Sequence, residues 1–259
     1  MNLSSAQAAP IVALHGGPSV PSDYLHPLGD VVPYRSIVFY DQLGCGNSDK
    51  PDDASLYSTA HSVDDLRLLL RKIGVRRFHL YGQSYGGILG YEYLKRLAEE
   101  EEEIEPKCLS LVLSSAPTSV SEVEENYTRL LGELKSSNPD ATDEQLGELF
   151  RMTHQCRLPD MPEPLVRAYE KAGTVWRGTD AISGYEAEPP KEGARRMPSA
   201  LTLRGEHDFI SESSVGRWGE VLNTPFVRRR TMEGCGHHPL LEDGATYGEI
   251  IDSFVSEYD

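Results

Sequence analysis

The length of 259 residues and the hydrophobic fraction of 39% allow one large α/β domain, or a core that carries an insertion. The formal net charge of −16 disfavours nucleic acid as a partner, because the chain would repel the phosphates. No stretch has the length and apolar character of a membrane span or of a secretory signal, so we expect no membrane partner.

The four cysteines are widely spaced and form no CxxC pair. They are Cys45, Cys108, Cys156 and Cys235. This usage predicts reduced thiols in a cytoplasmic protein. His154 lies near Cys156 but is too isolated to suggest a metal site, so we expect no metal.

Two buried-strand patterns near the start of the chain each end in a polar loop with glycines. Ile11 to Leu14 runs into HGGPS at residues 15–19, and Ser36 to Tyr40 runs into a loop that begins with Asp41. Two glycines after a strand permit a tight turn whose backbone amides can point at a ligand. Taken alone, each loop is equally compatible with an ordinary strand ending.

A helix is predicted over Ser62 to Ile73. Ser62 can cap it, acidic residues lie in its first turn, basic residues lie in its last turn, and Gly74 ends it. The predicted buried face consists of Val63, Leu66, Leu70 and Ile73.

The next stretch has the order of strand, sharp turn and helix that a nucleophile elbow requires. Phe78 to Tyr81 is apolar, and residues 82–86 read Gly-Gln-Ser-Tyr-Gly. In an elbow, Ser84 lies on a strained bend with its hydroxyl exposed, while Gly82 and Gly86 keep side chains out of a crowded backbone. A glycine-rich turn before an ordinary helix is the alternative for so short a motif.

A helix is predicted after the elbow, with one face that carries Ile88, Leu89, Tyr91, Leu94 and Leu97. Six glutamates follow, at positions 99–103 and 105, and we interpret them as a solvated helix end and loop.

Three further strand patterns alternate with helices, at Leu109 to Leu113, Ala200 to Leu203 and, more weakly, Phe226 to Thr231. This alternation predicts a mostly parallel sheet covered by helices on both faces. Residues 117–196 instead carry helical patterns at Val123 to Leu134, Thr142 to Thr153 and Pro164 to Ala172. We therefore predict a core of residues 1–116 and 197–259 and a helical cap of residues 117–196 above the carboxyl end of the sheet. The last helix is predicted to bury Tyr247, Ile250, Ile251, Phe254 and Val255.

Ser84, Asp208 and His237 each follow a predicted strand, in the chain order serine, aspartate, histidine. Because the carboxyl ends of parallel strands lie side by side, the three side chains can meet. His237 would then take the proton of Ser84, and Asp208 would orient the imidazole. The amide of Tyr85 and one from the Gly16–Gly17 turn would bind the oxyanion.

His238 is the alternative base. We favour His237 because it follows Gly236 directly and has Glu242 five residues further on. Asp41 also follows a strand, but it precedes the serine in the chain and more simply braces its own loop.

Five stretches together resemble the α/β-hydrolases of the proline iminopeptidase type, which include the tricorn-associated aminopeptidases. They are HGGPS (15–19), FYDQLGCGNSDKP (39–51), YGQSYGG (81–87), RGEHD (204–208) and GCGHHPLLED (234–243). The resemblance implies release of N-terminal residues from short peptides, a helical cap over the site and no cofactor. It also implies Ser84, Asp208 and His237 as the triad, with Gly17 and Tyr85 as oxyanion donors.

Three positions depart from the family pattern. Family members carry two or more strands before the HGGP strand, so N-terminal edge strands are predicted to be missing. Ser19 replaces the last glycine of the loop, and Phe209 replaces a glutamate that holds the substrate's ammonium in the tricorn-associated enzymes. We expect Gly16 and Phe209 to line the substrate site. The possible replacement carboxylates are Asp180, Glu186 and Glu188, of which we expect Asp180 and Glu186 to contact substrate.

The sequence thus predicts a serine aminopeptidase acting on short peptides, with proline a candidate first residue. An esterase or amidase on a small uncharged acyl substrate is the alternative that Phe209 favours. A catalytically silent hydrolase-fold protein is a third hypothesis, favoured by the missing strands. Epoxide hydrolases and dehalogenases are disfavoured because they need a carboxylate where Ser84 stands.

Overall fold

A computed structural model describes residues 8–100 and 106–259 of the chain. The described strands form one parallel sheet in the order β2-β1-β3-β4-β5-β6, which confirms the predicted α/β-hydrolase architecture. Their bounds are β1 Ile11–Leu14, β2 Ile37–Phe39, β3 Arg77–Gln83, β4 Lys107–Ser114, β5 Ser199–Gly205 and β6 Val227–Met232. Within the described residues no strand precedes β1, and β2 forms one edge of the sheet.

Helices cover both faces of the sheet. Their bounds are α1 Leu28–Val31, α2 Thr59–Ile73, α3 Tyr85–Glu99, α4 Val120–Ser137, α5 Asp143–Phe150, α6 Glu163–Glu170, α7 Glu212–Gly216, α8 Trp218–Val221, α9 Pro239–Glu242 and α10 Gly244–Ser256. Residues of β1 alternate between two cores: Val12 and Leu14 pack with α2 and α3, whereas Ile11 and Ala13 pack with α10. This alternation follows from the two-residue period of a strand. In α10, Ile250 is only half-buried, whereas the other four predicted core residues are buried.

Helix α2 begins three residues before the predicted start. Its N-cap is Ser58, whose hydroxyl accepts a hydrogen bond from His61 N, whereas the hydroxyl of Ser62 donates to the Ser58 carbonyl. Gly74 ends the helix with a φ of 70°, as the sequence predicts. Ile73 is 43% exposed rather than buried, because it lies in the last turn of the helix. The space beside this end of the helix is open, since no heavy atom would lie within 4 Å of a Cβ on Gly74.

Between β4 and β5, residues 115–198 contain three helices, short turns and no strand. Helix α5 starts at a capping box formed by Thr142 and Gln145, and a π-type turn over Arg151–Gln155 follows it where the sequence predicts one longer helix. Gly173 N donates to the carbonyl of Ser19, so this segment contacts the HGGPS loop. The exact cap boundaries at 116/117 and 196/197 stay a prediction.

In the part of the chain that the structure describes, no helix is long and apolar enough to cross a membrane. The same residues contain no group of three or more His, Cys, Asp or Glu side chains that could hold a metal ion. The four cysteines are free, and burial raises the pKa of Cys45 to about 12. Residues 101–105 of the glutamate-rich stretch lie outside the described residues.

Candidate active site

Ser84 lies between the end of β3 and the start of α3, in a backbone conformation that favours glycine. Its φ is 53° and its ψ is −122°, and its N–H donates to the carbonyl of Ser114 on β4 at 2.9 Å. The turn is also crowded: a Cβ on Gly82 would lie 2.2 Å from the carbonyl oxygen of Gly86, and one on Gly86 would lie 2.1 Å from that of Leu14. The strained strand-turn-helix geometry agrees with the elbow that the motif predicts.

Asp208 and His237 meet at the carboxyl ends of β5 and β6. The Nδ1 atom of His237 lies 2.8 Å from Asp208 Oδ1, and both residues are buried. Asp208 Oδ1 also accepts a hydrogen bond from Ile210 N at 2.9 Å, which fixes the carboxylate. The Asp208 carboxylate can only accept a hydrogen bond, so the neutral His237 ring carries its proton on Nδ1. Its Nε2 is then able to accept a second proton.

The loop that carries His237 is held from both sides. Glu242 accepts a hydrogen bond from Gly236 N at 2.9 Å, and His237 N donates to the carbonyl of His154 at 3.0 Å. A Cβ on Gly205, at the end of β5, would lie 2.0 Å from the Gly236 carbonyl oxygen. The loop therefore packs directly against the strand end that leads to Asp208.

His238, the alternative base, occupies a different environment. Its ring makes edge-on contacts with Tyr24 at 5.3 Å and with His237 at 5.2 Å between centroids, and no hydrogen bond joins it to Asp208. Burial lowers its pKa well below the ordinary value, with a further contribution from His237. His238 therefore stays neutral and lacks the orienting carboxylate that a general base of this kind requires.

Of the two predicted oxyanion donors, Tyr85 directly follows Ser84, and Gly17 follows Gly16, whose backbone approaches Ser84. A Cβ on Gly16 would come within 3.0 Å of Ser84 Cβ, and Gly17 has a φ of 116° that favours glycine. The amide of Gly17 donates no hydrogen bond within the described residues. Tyr85 is the first residue of α3, where a backbone N–H has no intrahelical acceptor and the helix dipole favours negative charge.

His15 and Asp41 brace these loops. His15 is fully buried, its Nε2 accepts a hydrogen bond from Gln42 N at 2.9 Å, and its Nδ1 lies 3.0 Å from the Gly16 carbonyl. Burial lowers the pKa of His15 to about 4, so the ring is neutral. Asp41 accepts hydrogen bonds from Ser22 and Asn47, which is the loop-bracing role predicted for it.

Phe209 contacts His237 and also lines a cavity formed mainly by residues between β4 and β5. Its ring lies 4.3 Å from the imidazole, centroid to centroid, and its carbonyl accepts a hydrogen bond from Asn126 Nδ2 at 2.7 Å. The cavity has a volume of about 570 Å³, and Phe209 lines it together with Val123, Glu124, Tyr127, Thr128, Gly147, Phe150, Gln155, Thr179 and Asp180. Rings of Tyr127, Phe150 and Phe209 form a continuous aromatic wall, with successive centroids 4.5 and 5.9 Å apart.

The cavity has two carboxylates, Asp180 and Glu124. Sequence reasoning named Asp180 and missed Glu124; both are exposed, and neither forms an ion pair within the described residues. Glu186 does not line this cavity. Its carboxylate accepts a hydrogen bond from Ser119 and lies 3.6 Å from Arg217 Nη1, because a backbone bridge to Ser119 holds it there.

Glu188 does not line this cavity either, and its backbone carbonyl accepts a hydrogen bond from the Tyr91 hydroxyl. Of the three candidate carboxylates, the structure thus brings only Asp180 toward Phe209.

Trp176 is a further residue of the site that sequence reasoning missed. Its ring stands edge-on to the Tyr85 ring, with centroids 5.4 Å apart, and its carbonyl accepts the Ser19 hydroxyl at 2.6 Å. Ser19 has a φ of 64°, so it keeps the left-handed backbone that suits the family's glycine, and its hydroxyl joins that strained position to Trp176. The one available sequence signal was that Trp176 is among only two tryptophans of the chain.

Comparisons with known proteins agree with this geometry. A family model described as the alpha/beta hydrolase family matches residues 11–249. A proline iminopeptidase from Saccharolobus solfataricus is 35% identical, over 95% of this chain and 84% of its own length. One from Lactobacillus delbrueckii subsp. bulgaricus is 29% identical, over 97% of this chain and 91% of its own length.

Among solved structures, a proline iminopeptidase from Mycobacterium smegmatis superposes with a TM-score of 0.82 at 21% identity, covering 98% of this chain and 91% of its own. An esterase from Exiguobacterium antarcticum superposes with a TM-score of 0.69 at 18% identity, covering 96% and 92%. At these identities the structural likenesses show the fold alone. The family model and the sequence relatives together place the chain in the alpha/beta hydrolase family, among relatives of the proline iminopeptidases.

Proposed function

We propose that this protein is a serine hydrolase that releases N-terminal residues from short peptides through an acyl-enzyme on Ser84, without a cofactor. The observation that carries the proposal is the 2.8 Å contact between His237 Nδ1 and Asp208, at the same sheet edge as a serine on a strained elbow. The proline iminopeptidases among the relatives make proline the first candidate for the released residue.

Each group has a role that follows from its chemistry. His237 Nε2 takes the proton of Ser84 as the hydroxyl oxygen attacks the scissile carbonyl, and Asp208 stabilises the imidazolium. The amides of Gly17 and Tyr85 bind the oxyanion, and His237 returns the proton to the leaving amine. Water then hydrolyses the acyl-enzyme by the same route.

An aminopeptidase must also hold the free ammonium of its substrate. Both carboxylates of the cavity are exposed in the free protein, so the charge pair is shielded from water only when the substrate fills the cavity. The bound cation then needs a carboxylate, since an unpaired buried charge is costly. Glu124 and Asp180 supply carboxylates in the cavity that Phe209 lines, and neither has an ion-pair partner within the described residues. We infer that one or both bind the ammonium, while Phe209 contacts the apolar side of the first residue.

The test compares a free aminoacyl-arylamide with its N-acetylated form. Acetylation removes the cation, and a lost charge pair of this kind lowers kcat/KM by at least about 30-fold. Asp180→Asn or Glu124→Gln should reduce that ratio, because each removes a charge from the cavity. Glu186→Gln is the matched control: it neutralises a cap carboxylate that pairs with Arg217, so the ratio should not change.

Equal cleavage of free and acetylated substrates would contradict the aminopeptidase assignment. Turnover of simple esters alone would then support the second candidate, an esterase or amidase. The apolar Phe209 ring beside the His237 imidazole favours this candidate. A folded protein that a fluorophosphonate does not label would contradict both and favour a catalytically silent protein.

Two further proposals concern the location of the protein and its domain organisation. We propose the cytoplasm as the location, which the four free thiols favour. We also propose residues 117–196 as a cap that folds over the site, supported by the contacts of Trp176 and Asn126 with residues at the sheet edge.

A further inference from the structure

We propose that Tyr24 and Gln83 are positioning residues that hold the oxyanion loop, residues 15–19, and the histidine loop, residues 234–238, at a fixed spacing around Ser84. The proposal rests on the serine hydrolase function proposed above. It concerns how the reacting groups are held and is independent of which substrate is cleaved.

Tyr24 is the first link. Its hydroxyl accepts a hydrogen bond from Gly16 N at 2.7 Å and donates one to Gln83 Oε1 at 2.6 Å. A phenol has a single proton to donate, so the directions of both bonds are determined. The side chain is 2% exposed, and burial raises the pKa of its hydroxyl well above the ordinary value, so the proton stays in place.

Gln83 is the second link, and it directly precedes Ser84. Because its Oε1 accepts from Tyr24, its Nε2 is turned to the other side, where it donates to the carbonyl of His237 at 3.2 Å. A side-chain amide offers an acceptor and a donor on neighbouring atoms, and this arrangement uses both. Gly16 must approach closely for this arrangement, since a Cβ there would lie 2.8 Å from Gln83 Oε1.

The chain of bonds therefore runs from Gly16 through Tyr24 and Gln83 to His237. Its first member is adjacent to Gly17, which is assigned an oxyanion amide, and its last member is the assigned base. Tyr24 supports the histidine loop a second time, because its ring stands edge-on to His238. Within the described residues neither Tyr24 nor Gln83 hydrogen-bonds to the Asp208 carboxylate, and their bonds go to the two loops, so we infer that they act through these loops.

Burial makes these hydrogen bonds consequential. Tyr24 and Gln83 are both almost fully buried, so water does not compete for their polar groups. Removing one link leaves the others unpaired, which costs free energy and lets the two loops move independently. A displacement of about 1 Å in a reacting group is enough to lower a rate about 100-fold.

The experiment measures the rate of Ser84 labelling by a fluorophosphonate together with kcat and KM. Tyr24→Phe removes a single oxygen, and Gln83→Met removes both polar ends at a similar volume. We expect each to lower the labelling rate and kcat by about 10- to 100-fold, while KM changes by less than about twofold. The double variant should lose little more than the worse single variant, because both break one chain.

Tyr247→Phe is the matched control. Tyr247 is also a fully buried tyrosine whose hydroxyl has two partners, Tyr81 at 2.7 Å and Ser114 at 2.8 Å, but it joins neither loop. It should lose a similar amount of stability in urea and keep its labelling rate.

Three results would overturn the proposal: folded Tyr24→Phe and Gln83→Met proteins labelled at the wild-type rate, additive losses in the double variant, or equal slowing by Tyr247→Phe. These results are distinct from failure of the proposed function. A folded wild type that the probe does not label contradicts the hydrolase function, whereas a labelled wild type with unaffected variants contradicts the positioning role alone.

Discussion

His237 and His238 are neighbours in the chain, yet their surroundings assign them different chemistry. Nδ1 of His237 contacts Asp208 at 2.8 Å, whereas the ring of His238 packs between Tyr24 and His237. Residue type alone cannot distinguish two adjacent histidines. The side of the loop on which the carboxylate lies distinguishes them here.

His237→Ala should abolish fluorophosphonate labelling of Ser84, with a loss of at least about 1,000-fold in turnover, because the Ser84 hydroxyl would lose the base assigned to it. His238→Phe keeps a ring between Tyr24 and His237 and should retain a substantial fraction of activity. Labelling kinetics of the two variants, with circular dichroism to confirm folding, check this prediction. The reverse pattern would assign the base to His238.

Backbone strain in the described residues is concentrated in serines near the candidate site. Ser19, Ser84 and Ser115 are the described non-glycine residues with positive φ, at 64°, 53° and 48°. Ser84 and Ser115 follow the carboxyl ends of β3 and β4, and Ser19 lies in the loop after β1. Such conformations cost on the order of 1–3 kcal/mol each and persist where the surrounding structure over-determines them. Their location supports the assignment of the active site to the carboxyl ends of the strands.

At the scale of elements, helix α2 shows how a local signal can be displaced. Ser58 and Ser62 are both serines at the start of an amphipathic pattern, separated by one helical turn. The structure uses Ser58 as the N-cap and places Ser62 inside the first turn, where its hydroxyl donates to the Ser58 carbonyl. The apolar pattern that begins at Val63 marks the packed face, not the first helical residue.

Ser58→Ala should therefore destabilise the protein by about 1 kcal/mol, because the His61 amide loses its acceptor at the helix start. Ser62→Ala is the matched control and should change the free energy of unfolding by less than about 0.5 kcal/mol. Urea unfolding at neutral pH measures both. A larger loss in Ser62→Ala than in Ser58→Ala would restore the sequence-based start of the helix.

Elements with strong periodicity were predictable, and so was the order of the motif-bearing loops. Strand β1 matches its predicted bounds, and each other predicted strand pattern corresponds to a described strand, with ends shifted by one or two residues in most cases. The cap was less predictable because its helices pack through contacts that local patterns do not encode. Nothing in the local sequence distinguishes Glu124 from Glu186, but Glu124 lines the cavity from α4, whereas a backbone bridge to Ser119 holds Glu186 beside Arg217.

The hydrogen-bonded chain through Tyr24 and Gln83 was also beyond the sequence. It joins residues 16, 24, 83 and 237, whose proximity exists only after the parallel sheet has formed. Gln83 lies at the variable second position of the Gly-x-Ser-x-Gly motif, which the motif itself leaves unspecified.

At the scale of the whole molecule, burial of neutral histidines couples stability to pH. His15, His79 and His238 are buried, and desolvation lowers the pKa of each. A second effect opposes this one: protonation of carboxylates at lower pH reduces the net charge of −16 and its self-repulsion. The contribution of a single histidine must therefore be measured as a difference between variants.

His15 has a folded-state pKa of about 4 against an ordinary value of 6.5. Above the ordinary value both the folded and unfolded states leave it neutral, and below it only the unfolded state takes up the proton. Stability is therefore lost as the pH falls from 6.5 toward 4, by about 2–3 kcal/mol for this residue at about pH 4.5.

Urea unfolding at about pH 7 and about pH 4.5 measures how much the free energy of unfolding falls between the two pH values. We expect this fall to be about 2–3 kcal/mol smaller in His15→Gln than in wild type. The comparison of two pH values cancels the direct cost of the substitution. His61, which is exposed, provides the control: His61→Gln should show the wild-type fall. An equal fall in the free energy of unfolding of His15→Gln and wild type would mean that His15 becomes protonated in the folded protein. The assignment of His15 as a neutral ring between the Gly16 carbonyl and the Gln42 amide would then be wrong.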